Sequence, residues 1–249
     1  MNRSTLRLTL PVLVLCGAVV ARAEVNDCTP ITSVPTTISS PGVYCLTGNL
    51  TMPTTSVAVH VLSAKDVVLD FNGHSITGSG GTAVLVEDAS RVTVRNGSLV
   101  NFGRAVYVAS NSFNTTVEDL RVFATGSQPT VESQGWGDII QRNWIERGNP
   151  VIRTAGGASR VSDNDIFNAT SGIDIVGSST LVGDNLVTRT GAAAGYGIRT
   201  AGTRTILSRN NVSGFATCFD MSTTTRYREN VTISCTTTYT GGASAGSNY

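Results

Sequence analysis

The sequence predicts an all-β chain wound as a single parallel β-helix, a solenoid of about eight coils. Three observations predict it. Short β-type apolar runs recur every 20–25 residues between about Val57 and Cys235. Gly, Asn, Ser and Thr separate these runs, and no stretch carries sustained helical spacing. Only 6% of the residues are aromatic and 40% hydrophobic, which suits a narrow coil and leaves little for a wide aromatic pocket.

The N-terminus is read first. Arg3 and Arg7 precede an apolar run from Leu8 to Val20, and Ala21-Arg22-Ala23 supplies a small-x-small cleavage pattern. The run is too short to span a bilayer. Residues 1–23 are therefore expected to be a signal peptide, which places the mature chain outside the cytoplasm, secreted or periplasmic. Formal charge is +1, and the loss of Arg3, Arg7 and Arg22 turns the mature balance slightly acidic. With Lys65 the only lysine, no basic patch is implied and nucleic acid is not an expected partner.

Four cysteines remain after cleavage: Cys28, Cys45, Cys218 and Cys235. An even number in an exported chain points to disulfides. Three connectivities are open. The local pairs Cys28–Cys45 and Cys218–Cys235 are preferred, one at each end of the chain. No C-x-x-C spacing supports a metal site.

Residues 24–56, rich in Thr, Pro and Ser, are expected to cap the first coil. Residues 57–235 carry the repeat. An Asn recurs at Asn72, Asn96, Asn143, Asn164, Asn185, Asn210 and Asn230, with Leu120 in the third unit. Before it stand Leu69, Val94, Val117, Ile140, Val161, Val182, Leu207 and Tyr227; after it Ile76, Leu99, Val122, Ile145, Ile166, Val187, Val212 and Ile233. A unit this short cannot bury its own apolar face, so coils must stack with strands about 4.8 Å apart. The Asn column is expected to turn the chain, because Asn tolerates the left-handed region, and to hydrogen-bond from coil to coil. Residues 236–249, rich in Gly and Ser, are expected to form a flexible tail.

Val68-Leu69-Asp70-Phe71-Asn72-Gly73-His74-Ser75-Ile76-Thr77-Gly78 resembles the opening coil of the pectate-lyase-like β-helix proteins. Val94-Arg95-Asn96-Gly97-Ser98-Leu99 resembles their next coil, and Pro41 to Leu50 the first segment of exported bacterial members. The resemblance implies a right-handed helix. It implies activity far less, because that superfamily holds lyases, hydrolases, epimerases, adhesins and proteins without known activity. The family's Asp-Asp, Gly-His-Gly, Arg-Ile-Lys and Asp-Pro-His-Asp motifs do not occur here.

A second strand in each coil reads apolar-x-apolar or apolar-x-small, and alternation sends its middle residue outward. The outward column is His60, Leu85, Tyr107, Glu132, Arg153, Asp174, Arg199 and Asp220. Its last five members alternate in sign. Alternating charge in register makes a ladder of cross-strand ion pairs. The same residues suit an acidic sugar, whose carboxylate must be neutralised while a neighbouring proton is removed and the leaving oxygen protonated.

Arg153, Arg199 and Tyr107 are the catalytic candidates. The arginines would grip carboxylates or, with a lowered pKa, take the proton; Tyr107 would be the general acid. Glu132, Asp174, Asp220 and the turn residue Trp136 are candidate substrate contacts. Oxygen ligation of Ca²⁺ by Asp174 and Asp220 is opposed by their Arg neighbours, and no cofactor is expected. His74 and Trp144 are read as structural. The expected protein is a monomer without a membrane span that binds or processes extracellular polysaccharide, with binding favoured over catalysis. If it is an enzyme, β-elimination on a uronate polymer is the expected reaction; a structural or adhesive surface module is the other class.

Overall fold

A computed structural model describes residues 27–125, 128–191 and 193–249. The segment read as a signal peptide lies outside the described residues. The described chain is all-β without a helix, a right-handed parallel β-helix of about nine turns. It therefore contains no helix long and apolar enough to cross a membrane.

Every coil contributes one strand to a ten-stranded parallel sheet. The rest of the coil crosses an eighteen-stranded parallel sheet on either side of a bend. In a middle coil these strands are Ile139–Gln141, Trp144–Glu146 and Ile152–Thr154. Inward residues stack in register: Ile140 on Val161 on Val182 on Leu207, and Val131 on Ile152 on Ile173 on Ile198 on Phe219. All are buried. Each contact is small, but β-branched residues repeated on a pleated surface fill the core without aromatics.

The cysteines pair as expected, Cys28 with Cys45 and Cys218 with Cys235. The ends differ from expectation. Thr36–Ile38 already pairs with Val59–Val61, and Gly42–Leu46 with the following coil, so stacking begins well before residue 57. The expected tail also adds strands: Thr237–Thr240 pairs with residues 217–220, and Ala243–Ser244 with 226–227. Tyr239 supplies the reason. Its ring stacks 5.1 Å from Phe219 and 5.0 Å from Tyr227, covering the open end of the core.

The Asn column divides in two. Asn143, Asn164, Asn185, Asn210 and Asn230 are buried, and each amide donates to the next Asn along, ending at Asn248. Their carbonyls also accept the backbone N–H of the previous rung, beginning with Leu120. These asparagines do not take the left-handed conformation. The residue before each takes it, as does Asp119 before Leu120: Asp119, Arg142, Asp163, Asp184, Arg209 and Glu229 all have φ between 53° and 59°. An Asn whose amide must point into the ladder cannot also be the turning residue. Asn72 and Asn96 do turn the chain, at φ 53° and 61°. They sit one residue ahead of the ladder, since Gly97 aligns with Leu120. A Cβ at Gly97 would lie 2.1 Å from Phe71 Cβ, so the large ring of Phe71 fills the ladder's place there.

Candidate functional site

The outward column of the ten-stranded sheet is continuous. Thr37, His60, Leu85, Tyr107, Glu132, Arg153, Asp174, Arg199, Asp220 and Thr240 are successive register partners. The charged part spans five coils.

Outward does not mean exposed. The side chains of Glu132 and Asp174 are only 3% exposed, because arginines lie across them. Arg199 meets Asp174 in a two-pronged pair, Nε to Oδ1 at 2.9 Å and Nη2 to Oδ2 at 2.8 Å. Arg104 Nη2 lies 3.0 Å from Glu132 Oε2. Arg153 stands between the two carboxylates, 3.8 Å from Glu132 Oε1 and 3.7 Å from Asp174 Oδ2. Those distances are ion pairs, too long for hydrogen bonds.

Arg104 and Tyr196 complete the cluster and were missed by strict alternation. Arg104 lies 4.5 Å over the Tyr107 ring, and Arg199 lies 4.4 Å over the Tyr196 ring. Each of the two strands buries two residues in succession, Ala105–Val106 and Gly197–Ile198, so residues three apart both face out. The signal was a small residue ahead of a large apolar one.

The electrostatics assign different work to the two column arginines. The Asp174 hydrogen bond, opposed by partial burial, raises the Arg199 pKa above its ordinary value. Arg199 thus stays a cation and braces Asp174. Burial, followed by the nearby Asp174 charge, pushes the Tyr196 phenol up as well. Arg153 is the less committed cation: its side chain is 38% exposed and its Nε makes no hydrogen bond. Arg104 Nε and Glu132 Oε2 are likewise buried without one. Three of the eight such atoms among the described residues thus fall in one small cluster. Glu132 Oε2 keeps its ion pair with Arg104, so the donors of the cluster without a hydrogen bond are Arg104 Nε and Arg153 Nε, and buried groups of this kind are uncommon.

The other candidates are placed as follows. Asp220 is exposed and accepts a hydrogen bond of 2.8 Å from Thr240 Oγ1. Trp136 is 56% exposed at the turn after the Glu132 strand, its indole resting on Gly157 of the next coil. His60 pairs with Glu87 at 3.0 Å and is separated from Glu132 by Leu85 and Tyr107. Near Trp136, Asp138 is buried, accepting from Ser133 Oγ at 2.6 Å and from the Thr115 N–H at 2.8 Å. Burial raises its pKa to about 6 despite those two bonds. Among the described residues no group of three or more His, Cys, Asp or Glu could hold a metal ion.

Comparison with known proteins adds three findings. Residues 33–102 match a family described as carbohydrate-binding domain-containing protein. That segment covers the early coils and stops short of Glu132. No curated protein matches the chain. Among solved structures, an alginate lyase from Paenibacillus sp. str. FPU-7 is similar at a TM-score of 0.47 and 11% identity, over 84% of this chain and 89% of that one.

Proposed function

We propose that this is an exported polysaccharide-binding protein that holds acidic, uronate-containing chains along the outward face of its ten-stranded sheet. One observation carries the reading. Arg153, with its side chain 38% exposed, stands 3.8 Å and 3.7 Å from its two neighbouring carboxylates without a hydrogen bond to either, in the middle of a rigid column of alternating charge. A carboxylate can supply the charge-assisted hydrogen bonds that Glu132 and Asp174 are too distant to make. The exposed Trp136 offers a flat apolar surface beside the column, and the family match over residues 33–102 supports carbohydrate as the ligand class. Two disulfides favour a location outside the cytoplasm.

Binding is favoured over elimination. A lyase needs a base, and Arg199 is held protonated by Asp174. Tyr107, the candidate acid, has its ring covered by Arg104. In this reading Arg153 is the ligand cation, Arg199 and Arg104 brace its neighbours, and Asp220 lies at the open end of the column.

The test is retention of the mature, disulfide-intact protein on immobilised alginate and polygalacturonate, with ultraviolet absorbance followed for unsaturated products. Retention that weakens about ten-fold in Arg153→Ala with the melting temperature preserved, and that falls with salt, is expected. No retention on either polymer overturns the reading in favour of a structural module, and retention unchanged in Arg153→Ala takes the ligand off the charged column. An absorbance rise abolished by Arg153→Ala overturns it in favour of a lyase.

A further inference from the structure

A second surface, on the other sheet, carries a ladder of aromatic rings. Phe123, Trp144 and Phe167 come from three successive coils. Their ring centroids lie 5.0 Å and 5.6 Å apart, in tilted contacts. All three point away from the core. Phe123 is 38% exposed, and Trp144 and Phe167 are half-buried. Such rings at outward positions cost hydration and fill no interior space, so the fold alone does not call for them.

The surroundings are polar. Arg121 lies 5.5 Å over the Trp144 ring and makes no ion pair among the described residues. On one side, a hollow of about 380 Å³ is bounded by Trp144, Arg121, Asp119 and Arg142. On the other, a hollow of about 280 Å³ is bounded by Phe123, Glu146 and Arg147. The first lies at the small end of the range for ligand sites, about 300–1,000 Å³, and the second just below it.

We propose that this ladder is a separate carbohydrate-stacking site, taking the apolar C–H face of pyranose rings whether or not the sugar is charged. The inference rests on the carbohydrate reading above but not on the charged column. A pyranose has a flat C–H face and a rim of hydroxyls. Three rings in a line offer the dispersion surface for the first, and Arg121, Glu146 and Arg147 the hydrogen-bonding groups for the second. A second protein copy fits less well. Even fully buried, three aromatic side chains hide about 450–750 Å², and these are less than half exposed. A stable interface needs about 800 Å² from each partner.

The test is electrophoretic retardation in native gels cast with hydroxyethylcellulose, mixed-linkage β-glucan, galactomannan, alginate or polygalacturonate. Wild type, Trp144→Ala, Phe123→Ser, Arg121→Ala and Arg153→Ala are compared at low and high salt. Trp136→Phe leaves Trp144 as the sole tryptophan, so its emission reports contact directly. Retardation by at least one neutral polymer is expected, surviving high salt and Arg153→Ala, and reduced about ten-fold by Trp144→Ala or Phe123→Ser. A Trp144 emission change on adding that polymer is expected with it. Phe123→Ser is the surface change that keeps the result readable if Trp144→Ala unfolds. Retardation confined to the acidic polymers, lost in Arg153→Ala and unchanged in Phe123→Ser, overturns the ladder and leaves the charged column standing. Silence across the neutral panel overturns the ladder, and silence across all five polymers overturns both sites. Self-association in wild type that Phe123→Ser removes overturns it in favour of a second copy.

Discussion

Arg199 and Asp174, twenty-five residues apart in sequence, meet prong to prong across one coil step at 2.9 Å and 2.8 Å. The carboxylate is almost wholly covered and the guanidinium is 40% exposed. Such a pair weighs more when broken than when made. Removing Arg199 leaves a buried charge that only the more distant Arg153 offsets. Arg199→Ala should cost about 2–3 kcal/mol in urea unfolding. The double variant Arg199→Ala/Asp174→Asn should recover part of that loss. A cost below about 0.5 kcal/mol for Arg199→Ala would place the pair among ordinary surface salt bridges.

Asp138 makes a pH-dependent contribution of the opposite sign to a paired carboxylate. Its folded pKa of about 6 lies above the ordinary value of 3.8. Between these two pH values the folded state holds more protons than the unfolded state, so stability falls as pH rises. The fall should approach about 3 kcal/mol by pH 7. Asp138→Asn keeps an acceptor for the Thr115 N–H and can donate to Ser133. Chemical denaturation at stepped pH should show the slope in wild type and a flatter profile in Asp138→Asn, which becomes the more stable protein at neutral pH.

The Asn ladder should tolerate no apolar rung in its middle. Asn164 accepts from Asn143 through both backbone N–H and amide, and donates to Asn185 and to the Ile140 and Ser162 carbonyls. Asn164→Ala leaves these groups buried without partners, at a cost of about 3 kcal/mol or more. Asn164→Leu should fare little better, although Leu120 occupies the same column at its start. Leu120 only donates its backbone N–H to the ladder and interrupts nothing. Thermal melts of the two variants check this; a melt within a degree or two of wild type would contradict it.

The disulfides close loops of similar length, with a separation of 17 residues at each end. Loop-closure entropy gives each about 3 kcal/mol. Cys218→Ser/Cys235→Ser should therefore loosen the last coils before the rest. Limited proteolysis should cut first beyond residue 217 in that variant, and within the first coil in Cys28→Ser/Cys45→Ser. Uniform loss of the whole rod in either variant would show that the coils unfold as one unit instead of from their ends.

Much of this fold was legible because strand periodicity is direct. Val131-Glu132-Ser133 and Ile152-Arg153-Thr154 need only alternation to point their charges outward, and parallel stacking then aligns them. The losses have physical causes. Arg104 and Tyr196 escaped because two buried residues in a row reset the alternation. Glu132 and Asp174 were expected at an outward face, but their covering comes from arginines in other coils, and no single strand reports that. The true ladder was blurred because Asn72 and Asn96 imitate its rungs one residue early, while Gly97 and Leu120 stand in the column itself. The last coil was lost in its Gly and Ser content, although Tyr239 sits where a closing aromatic belongs. The ring contacts of Trp144 with Phe123 and Phe167 lie across coils, where no single strand reports them.

The Asn ladder also sets how the rod can change in length. Every Asn-to-Asn amide hydrogen bond points the same way, from Asn143 towards Asn248, and each rung presents the same donor and acceptor to its neighbours. Deleting the 21 residues from Asn164 to just before Asn185 would hand Asn143 a new partner with the same chemistry. Deleting only part of a coil would bring a different residue to Asn143 and leave its amide without the next Asn. Length in this molecule is therefore a whole number, gained or lost one coil at a time, and a duplicated coil would lengthen both outward faces together.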